Sequence, residues 1–296
     1  MKNGQPSNIQ TFKLGLIGYP LNHSLSPQIH TAAFNACGLE GDYSLFPIFS
    51  DDKQGLKDLL TRVRMNEIQG LNVTIPHKQT VIEFLDELTP VAKAIGAVNT
   101  IYLEDSKLIG DNTDAPGFLS DLEKFLTTET QRQGDLNSLV LGAGGSARAV
   151  VYALLQNGWN VTLAARRIEQ AKELASQFEN INVADFNPQT FQLSNLQLIV
   201  NTTPLGMTPN IDPSPLPENL SLPSNAFVYD LVYNPRETKL VRDVRTKGLK
   251  AATGLGMLIE QAALSFEIWT GHNPSREIMR VSAEQSLVPN LNSPIL

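Results

Sequence analysis

Cysteine is almost missing from this chain: Cys37 is the single one in 296 residues. An internal disulfide is excluded, so the fold has to rest on its apolar core. Basic charge is also in short supply. Lysine and arginine number 23 against 30 aspartates and glutamates, a net charge of −7, which argues against a nucleic-acid partner. No apolar run is long enough to cross a bilayer, and the opening MKNGQPSNIQ lacks the apolar centre of a secretion signal. The four histidines (His23, His30, His77, His272) and Cys37 show no paired metal-ligand spacing. Neither the G-x-S-x-G elbow nor a P-loop G-K-[ST] occurs. These absences predict a soluble protein of a reducing compartment, the cytoplasm, with no metal, no nucleic acid and no membrane contact.

What remains is an ordinary globular composition, 42% hydrophobic and 18% charged, in a chain long enough for two domains. Strand-like and helix-like segments alternate, an α/β pattern. FKLGLIG (12–18) reads as a strand. SPQIHTAAFNACG (26–38) reads as a helix with Ser26 as N-cap, Pro27 in the first turn and Gly38 at its end. Cys37 lies on that helix and is expected to be a small buried hydrophobe. YSLFPIF carries a proline and reads as a strand near an edge. DKQGLKDLLTRVRM is a helix, GLNVTI a strand followed by a helix from about His77, and AVNTIYLE and KLIGDN two further strands. A domain boundary falls around 112–137, where a helix gives way to the polar TTETQRQGDLN. The proline-rich IDPSPLPENLSLPS is a surface loop, GMLIEQAALSFEIWTG a helix stopped by Gly271, and the tail after about Ser286 shows little pattern.

Three local features bear on chemistry. In NVTIPHKQT (72–80), Val73 and Ile75 alternate with polar neighbours until Pro76 breaks the strand. His77 and Lys78, both able to move protons, follow at once; a solvated charged pair is the alternative. SLVLGAGGSARAVVYALLQNGWNVTLAARR is strand, glycine turn, helix and strand, with Gly142, Gly144 and Ala147 fitting G-x-G-x-x-[GA]. Gly142 suits the tight turn, Gly144 a close approach to pyrophosphate, and Ala147 close helix–strand packing. The helix N-terminus offers unpaired N–H groups to phosphate. An NAD site places an acid near the end of the second strand. Arg166 and Arg167 stand there instead and suit a 2′-phosphate, which favours NADP. A ligand-free βα turn and a solvated arginine are the alternatives. Lastly, NHSLSP sets Ser24 and Ser26 two apart, on one side of an extended segment where both reach one anion. Asn99, Asp111, Asn112 and Asp114 gather around short strands, and Gln261 interrupts an apolar helix.

In order, NHSLSP, NVTIPHK, AIGAVNT, GDNTDAPG, GAGGSARA, NTTPLGM, YDLVYNP and GLGMLIEQAALSFEIWTG resemble the motifs of the shikimate dehydrogenase family, from about residue 14 to 271. The resemblance implies two α/β domains with a cleft between them. Residues 1–113, completed by C-terminal helices at about 255–296, would bind substrate; residues 114–254 would form a doubly wound Rossmann domain for NADP. It implies the reversible NADPH-dependent reduction of 3-dehydroshikimate to shikimate, on the route to aromatic amino acids, by a monomer or homodimer. Ser24 and Ser26, with Tyr233, would bind the substrate carboxylate. Thr74, Lys78, Asn99, Asp114 and Gln261 would bind the ring hydroxyls, with Lys78 and Asp114 as the catalytic pair. Gly142, Ala143, Gly144, Gly145, Ser146 and Ala147 would hold the pyrophosphate, and Arg166 the adenosine phosphate; Thr202, Leu231 and Gly254 would lie near the nicotinamide. Three departures stand out. Ala165-Arg166-Arg167 replaces the frequent Asn-Arg-Thr, Leu231 replaces a common Met, and Ala115 replaces a usual Gly. Relatives that prefer quinate often differ at the serine pair, so two serines favour shikimate. The alternatives are a broad-specificity quinate/shikimate enzyme and a non-catalytic NADP-binding regulator.

Ketone reduction leaves charge on an oxygen that needs a proton, and the reverse needs a base. A buried lysine serves both directions, with burial easing proton loss and a nearby carboxylate opposing it. In the family motif the position before this lysine varies while the lysine has the role, so the resemblance implies Lys78 rather than His77, and Lys78 with Asp114 is treated as one coupled unit in which the formal base is left open.

Overall fold

The computed structural model describes residues 11–126, 136–187 and 193–287. Most of the polar stretch expected around 127–137 and nearly all of the tail after Ser286 lie outside them. The described residues form two six-stranded sheets. The first begins with β1 (Thr11–Gly18), whose Phe12, Leu14, Leu16 and Ile17 are buried. It is followed by α1 (Ser26–Cys37), β2 (Glu40–Pro47), α2 (Lys53–Arg64) and β3 (Gly70–Val73). A short 3₁₀ turn (Thr80–Phe84), β4 (Glu87–Leu88), α3 (Pro90–Ile95), β5 (Thr100–Glu104) and β6 (Lys107–Asp111) complete it. The strand order is β2-β1-β3-β5-β6-β4. β2, with Pro47, takes an edge, where a missing N–H does no harm. β3, β5 and β6 pair antiparallel, so the tight β5–β6 hairpin returns Asp111 to the side of Thr100.

The second sheet contains β7 (Leu136–Leu141), α5 (Gly145–Gln156), β8 (Trp159–Ala165), α6 (Ile168–Ala175), β9 (Ile181–Asp185), β10 (Leu198–Asn201), β11 (Phe227–Asp230), α7 (Lys239–Thr246) and β12 (Lys250–Thr253). Its order is β12-β11-β10-β7-β8-β9, parallel throughout. This is the doubly wound arrangement in which strand order reverses at the first strand, and ligands bind off the carboxyl ends beside it. Nearly continuous apolar strands such as LIVN, buried along its length, are what a sheet covered on both faces requires.

α4 (Asp114–Leu122) joins the two halves. Phe118 and Leu122 pack into the second sheet's core with Val140 and Leu163. Phe118 also meets Tyr229 edge-on at 5.2 Å, and the Tyr229 hydroxyl donates to Asp121 Oδ2 at 2.7 Å. The C-terminal helices α8 (Leu255–Thr270) and α9 (Arg276–Ser286) return to the first half. Ile259, Phe266, Trp269, Met279 and Ala283 share one core with Phe12, Leu14, Ile29 and Phe34. The Trp269 indole N–H donates to Ile101 O at 3.0 Å, and its ring lies so near Gly70 that any side chain there would collide with it. Among the described residues no helix is long and apolar enough to cross a membrane.

Three expectations are corrected. Ser26 is the first helical residue of α1, and Leu25 occupies the N-cap without a side-chain bond. The chain there is already turning, so Ser24 Oγ accepts the Ser26 N–H at 3.2 Å. No helix starts at His77; it sits in a turn, where Pro76 lacks an N–H and the ensuing 3₁₀ turn stops at Phe84. Cys37, in the last turn of α1, is half-buried rather than buried.

His30 is fully buried, stacked on Tyr43 at 4.2 Å with a 4° interplanar angle. Neither ring nitrogen has a hydrogen-bond partner among the described residues. Burial holds its pKa down at about 3, with Asn72 nearby as the weaker opposing influence. The unfolded chain therefore binds this proton first, and stability is lost as pH falls from about 6.5 toward 3. His30→Phe is expected to remove that loss. Between pH 7 and pH 5, urea unfolding of the wild type should lose about 2 kcal/mol more than the variant.

Candidate active site

The carboxyl ends of β7 and β10 open on a cleft of about 350 Å³. Gly142 takes a φ of +109°, and a Cβ there would lie 2.6 Å from Thr202 Oγ1, so the turn needs glycine twice over. The Thr202 hydroxyl donates to Leu141 O at 2.7 Å, closing the turn from behind. Gly144 precedes α5 without any side-chain cap, and a Cβ built on it would meet nothing within 4 Å. Unpaired first-turn N–H groups thus face open space, which is what a pyrophosphate requires. Gly142, Ala143, Gly144, Gly145, Ser146, Ala165, Arg166, Arg167 and Thr202 all line this cleft. Arg166 and Arg167 are exposed at its rim, so both guanidinium groups are available to a phosphate. Ala147, Leu231 and Gly254 do not line it. Ala147 is buried in the core behind the turn, while Gly254 runs hard against the Leu231 backbone. Gln79, Gln170 and Phe186 also line the cleft and carried no motif that singled them out.

Lys78 enters the cleft from the first half of the molecule. Its stem packs on the glycine turn; a Cβ on Gly145 would approach Lys78 Cβ to 3.1 Å. The Lys78 carbonyl accepts the Val98 N–H at 2.7 Å, fixing its backbone beside Asn99. Its ammonium donates to Asp114 Oδ2 at 2.5 Å and to Ser146 Oγ at 3.4 Å. Lys78 is 8% exposed and Asp114 4%, which removes the reading of a solvated charged pair. His77 is buried as well, with Nε2 2.7 Å from Ile48 O. A carbonyl only accepts, so that nitrogen carries the proton and His77 is tied into the scaffold.

Asp114 opens α4, where the helix dipole favours a carboxylate. Asn112 caps this helix, its Oδ1 accepting the N–H groups of Asp114 (3.1 Å) and Ala115 (3.3 Å). Ala115 is buried in the core shared with Ile95 and Ala97, so its methyl fills space there. The other Asp114 oxygen accepts Asn99 Nδ2 at 2.9 Å, and the same amide reaches Gln261 Oε1 at 3.3 Å. Lys78, Asn99, Asp114 and Gln261 thus form one connected polar group.

Ser24 and Ser26 lie at the start of α1, linked through the Ser26 N–H. Ser26 and Tyr233 both lie near enough to Tyr43 to influence that phenol. Burial pushes Tyr233 up to about 12, so it stays a neutral hydroxyl at physiological pH. Thr74 is half-buried at the end of β3, its methyl turned toward Gly18. Asn72, Tyr43, Thr100, Thr113 and Ser265 were not anticipated as site residues; each is buried in direct or indirect contact with Asn99. Ser265 at four residues from Gln261, and Thr100 and Thr113 beside Asn99 and Asp114, were the available signals.

Known proteins share this arrangement. Residues 16–101 match the shikimate dehydrogenase substrate binding domain, residues 126–239 the shikimate / quinate 5-dehydrogenase domain, and residues 254–281 the shikimate 5′-dehydrogenase C-terminal domain. A shikimate dehydrogenase (NADP(+)) of Bacillus subtilis (strain 168) is 40% identical over 270 residues, 90% of this chain and 94% of its own. A crystal structure of a shikimate dehydrogenase in complex with NADP+ superposes with a TM-score of 0.85 at 38% identity, covering 97% of this chain and 99% of its own. The Thermus thermophilus shikimate 5-dehydrogenase, in complex with NADP(H) and shikimate, gives 0.82 at 36% identity over 93% of this chain and 100% of its own.

Leu231 and Tyr233 ride on a loop anchored by Asp230. This buried carboxylate accepts Asn201 Nδ2 (2.8 Å), the Val232 N–H (3.1 Å) and the Thr238 hydroxyl (2.6 Å). Burial raises its pKa to about 6 against the pull of those donors. Thr238 also N-caps α7 through the Val241 N–H. Thr238→Val removes both bonds and is expected to cost about 2–3 kcal/mol in urea unfolding at pH 7.5.

Proposed function

The chain belongs to the shikimate dehydrogenase family, and we propose that its cleft interconverts 3-dehydroshikimate and shikimate with NADP(H), a step of aromatic amino-acid biosynthesis. The observation that carries this reading is the buried Lys78–Asp114 pair at 2.5 Å, placed against the phosphate-binding turn. When bound, NADPH supplies the hydride and NADP+ accepts it; all other tasks fall to the chain. The turn from Gly142 to Ala147, with the unpaired N–H groups of α5, holds the pyrophosphate. Arg166 and Arg167 hold the 2′-phosphate, an assignment supported by their exposure at the rim and by the lack of an acid beside them. Thr202, Leu231 and Gly254 take the nicotinamide end, following β10, β11 and β12 on the opposite side of β7 from Arg166 and Arg167.

Ser24, Ser26 and Tyr233 take the substrate carboxylate. Thr74, Asn99 and Gln261 orient the ring hydroxyls, so that the reacting oxygen meets Lys78 and Asp114. In reduction the pair delivers a proton to the carbonyl oxygen as charge develops there; in oxidation it receives one from the hydroxyl. The two groups share a short buried hydrogen bond and act together on the reacting oxygen. Residues 1–113 with the C-terminal helices form the substrate half, and residues 114–254 the cofactor half. The single cysteine suits a reducing compartment, the cytoplasm.

Absorbance assays crossing shikimate and quinate with NADP and NAD test this reading. Rapid turnover only with shikimate and NADP is expected; equal rates with quinate establish the broader shikimate/quinate activity. Lys78→Met should lower turnover by about a thousandfold or more with NADP binding intact. His77→Gln, which keeps a donor toward Ile48, should stay active. An active Lys78→Met protein overturns the assignment. Replacing Arg166 and Arg167 with alanine should erase most of the preference for NADP over NAD, read as the ratio of kcat/KM values.

A further inference from the structure

Behind the substrate-facing residues lies a cluster of hydroxyls that the reaction as described leaves unused. Thr100 Oγ1 lies 2.7 Å from Ser265 Oγ and 3.3 Å from Thr113 Oγ1, and Thr113 Oγ1 lies 3.0 Å from Ser265 Oγ. Each hydroxyl also reaches an acceptor outside the trio. Thr100 and Thr113 reach Asn99 Oδ1 at 3.0 and 3.2 Å, and Ser265 reaches Gln261 O at 3.0 Å. A hydroxyl has one proton to donate. The three protons are therefore shared among six contacts, and only half of these are hydrogen bonds at any instant. Thr100 and Ser265 are fully buried and Thr113 nearly so.

The boundaries of the cluster are fixed. Asn72 Nδ2 donates to Ser265 Oγ at 3.0 Å and to the Asn99 backbone carbonyl at 3.1 Å. That carbonyl accepts only, so the Asn72 amide cannot turn over, and its Oδ1 accepts the Tyr43 hydroxyl at 2.8 Å. On the other side the Thr113 N–H donates to Asn99 Oδ1 at 2.7 Å, which locks the Asn99 amide with its NH₂ toward Asp114. An amide at each end makes a poor proton wire, so the cluster does not carry protons out of the site. Inside these limits, the hydroxyl protons rotate without any heavy atom moving.

We propose that Ser265 is a positioning residue for substrate. It joins α8, which carries Gln261, to Thr100 at the start of β5, next to Asn99, and it lets the hydroxyl protons redistribute when a ring hydroxyl engages Asn99 and Gln261. The proposal rests on the assignment of those two residues to the ring hydroxyls. Ser265 is the hub: it contacts both threonines, Asn72 and the Gln261 carbonyl. Without its oxygen, Asn72 loses an acceptor and the threonine protons have only Asn99 Oδ1 and each other. The bonds that tie the Gln261 turn of α8 to Thr100 and Thr113 are lost, so that turn is held to Asn99 only by the 3.3 Å contact with Gln261 Oε1. Cofactor residues lie on the other side of Lys78 and are untouched.

The test compares wild type, Ser265→Ala and Ser265→Thr. Wild-type oxidation of shikimate with NADP is measured first; its absence overturns the functional reading and this inference together. With the wild type active, Ser265→Ala should lower kcat about tenfold and weaken shikimate binding, read by calorimetry without cofactor, about tenfold, the scale of a lost buried hydrogen bond. Its NADP affinity should stay close to wild type while its melting temperature falls by a few degrees, and Ser265→Thr, which restores a hydroxyl, should recover most of the losses in kcat and shikimate affinity. The inference is overturned if Ser265→Ala keeps kcat and shikimate affinity within about twofold of wild type. It is equally overturned if the losses extend to NADP binding, or if a folded Ser265→Thr is as impaired as Ser265→Ala.

Discussion

Two opposite charges withdrawn from water at Lys78 and Asp114 set the terms for everything around them. Removing an ammonium and a carboxylate from solvent is tolerated only when they pair closely and their remaining hydrogen-bonding capacity is met. The structure meets that condition from both halves. Asp114 gains the dipole of α4 and the amide of Asn99. Lys78 is clamped by its own carbonyl on Val98 and by the stem contact with Gly145. The pair is thus a fixed point to which the first sheet, α4 and the phosphate-binding turn are all registered. A hydride acceptor and a proton donor can be kept in mutual geometry only if such a point exists.

The topology explains how residues from distant stretches reach it. The second sheet brings its glycine turn to the carboxyl end of β7, as any doubly wound sheet does. The first sheet departs from a parallel pattern just where the site needs it. Its antiparallel β5–β6 hairpin sets Asn99, which precedes β5, opposite Asp111 at the end of β6, with an N–H to carbonyl bond of 3.0 Å. Asn112, Thr113 and Asp114 follow at once, so one turn of chain delivers both the carboxylate and the groups that orient it. A parallel crossover would have separated these residues by a helix.

Much of this was legible in the sequence because it is local. The glycine turn, the two arginines following β8 and the Gly38 and Gly271 stops of α1 and α8 each depend on neighbours within a few residues, whereas β3 already ends at Val73, three residues before the proline expected to break it. The serine pair shows the limit of such reasoning. Ser24 and Ser26 share a locale, but the backbone between them turns rather than extends, and Ser24 accepts the Ser26 N–H instead of standing beside it. A spacing of two identifies a common face only once the conformation is known. Less legible still were Tyr43, Asn72 and Ser265. Asn72 and Ser265 are 193 residues apart yet 3.0 Å from each other, and neither sits in a pattern that departs from an amphipathic strand or an apolar helix. Their role follows from α8 returning across the first sheet, a long-range packing event that periodicity does not encode.

That return also answers why the polar cluster lies behind the site and not in front of it. A substrate rich in hydroxyls must be met by donors and acceptors whose directions are set before it arrives, since a group free to turn forfeits selectivity. Water could satisfy such groups from the open side, but it would then compete with the substrate. Their partners lie between α8 and the β5–β6 hairpin, where Asn99 is 2% exposed, Asp114 4% and Gln261 9%, so the directions of these groups are set by the protein itself. The apolar residues Phe266 and Trp269 on the same helix are buried in the core with Phe34, sealing the cluster from solvent. The helix that completes the core of the first half thus also fixes Gln261 and Ser265 against the polar cluster.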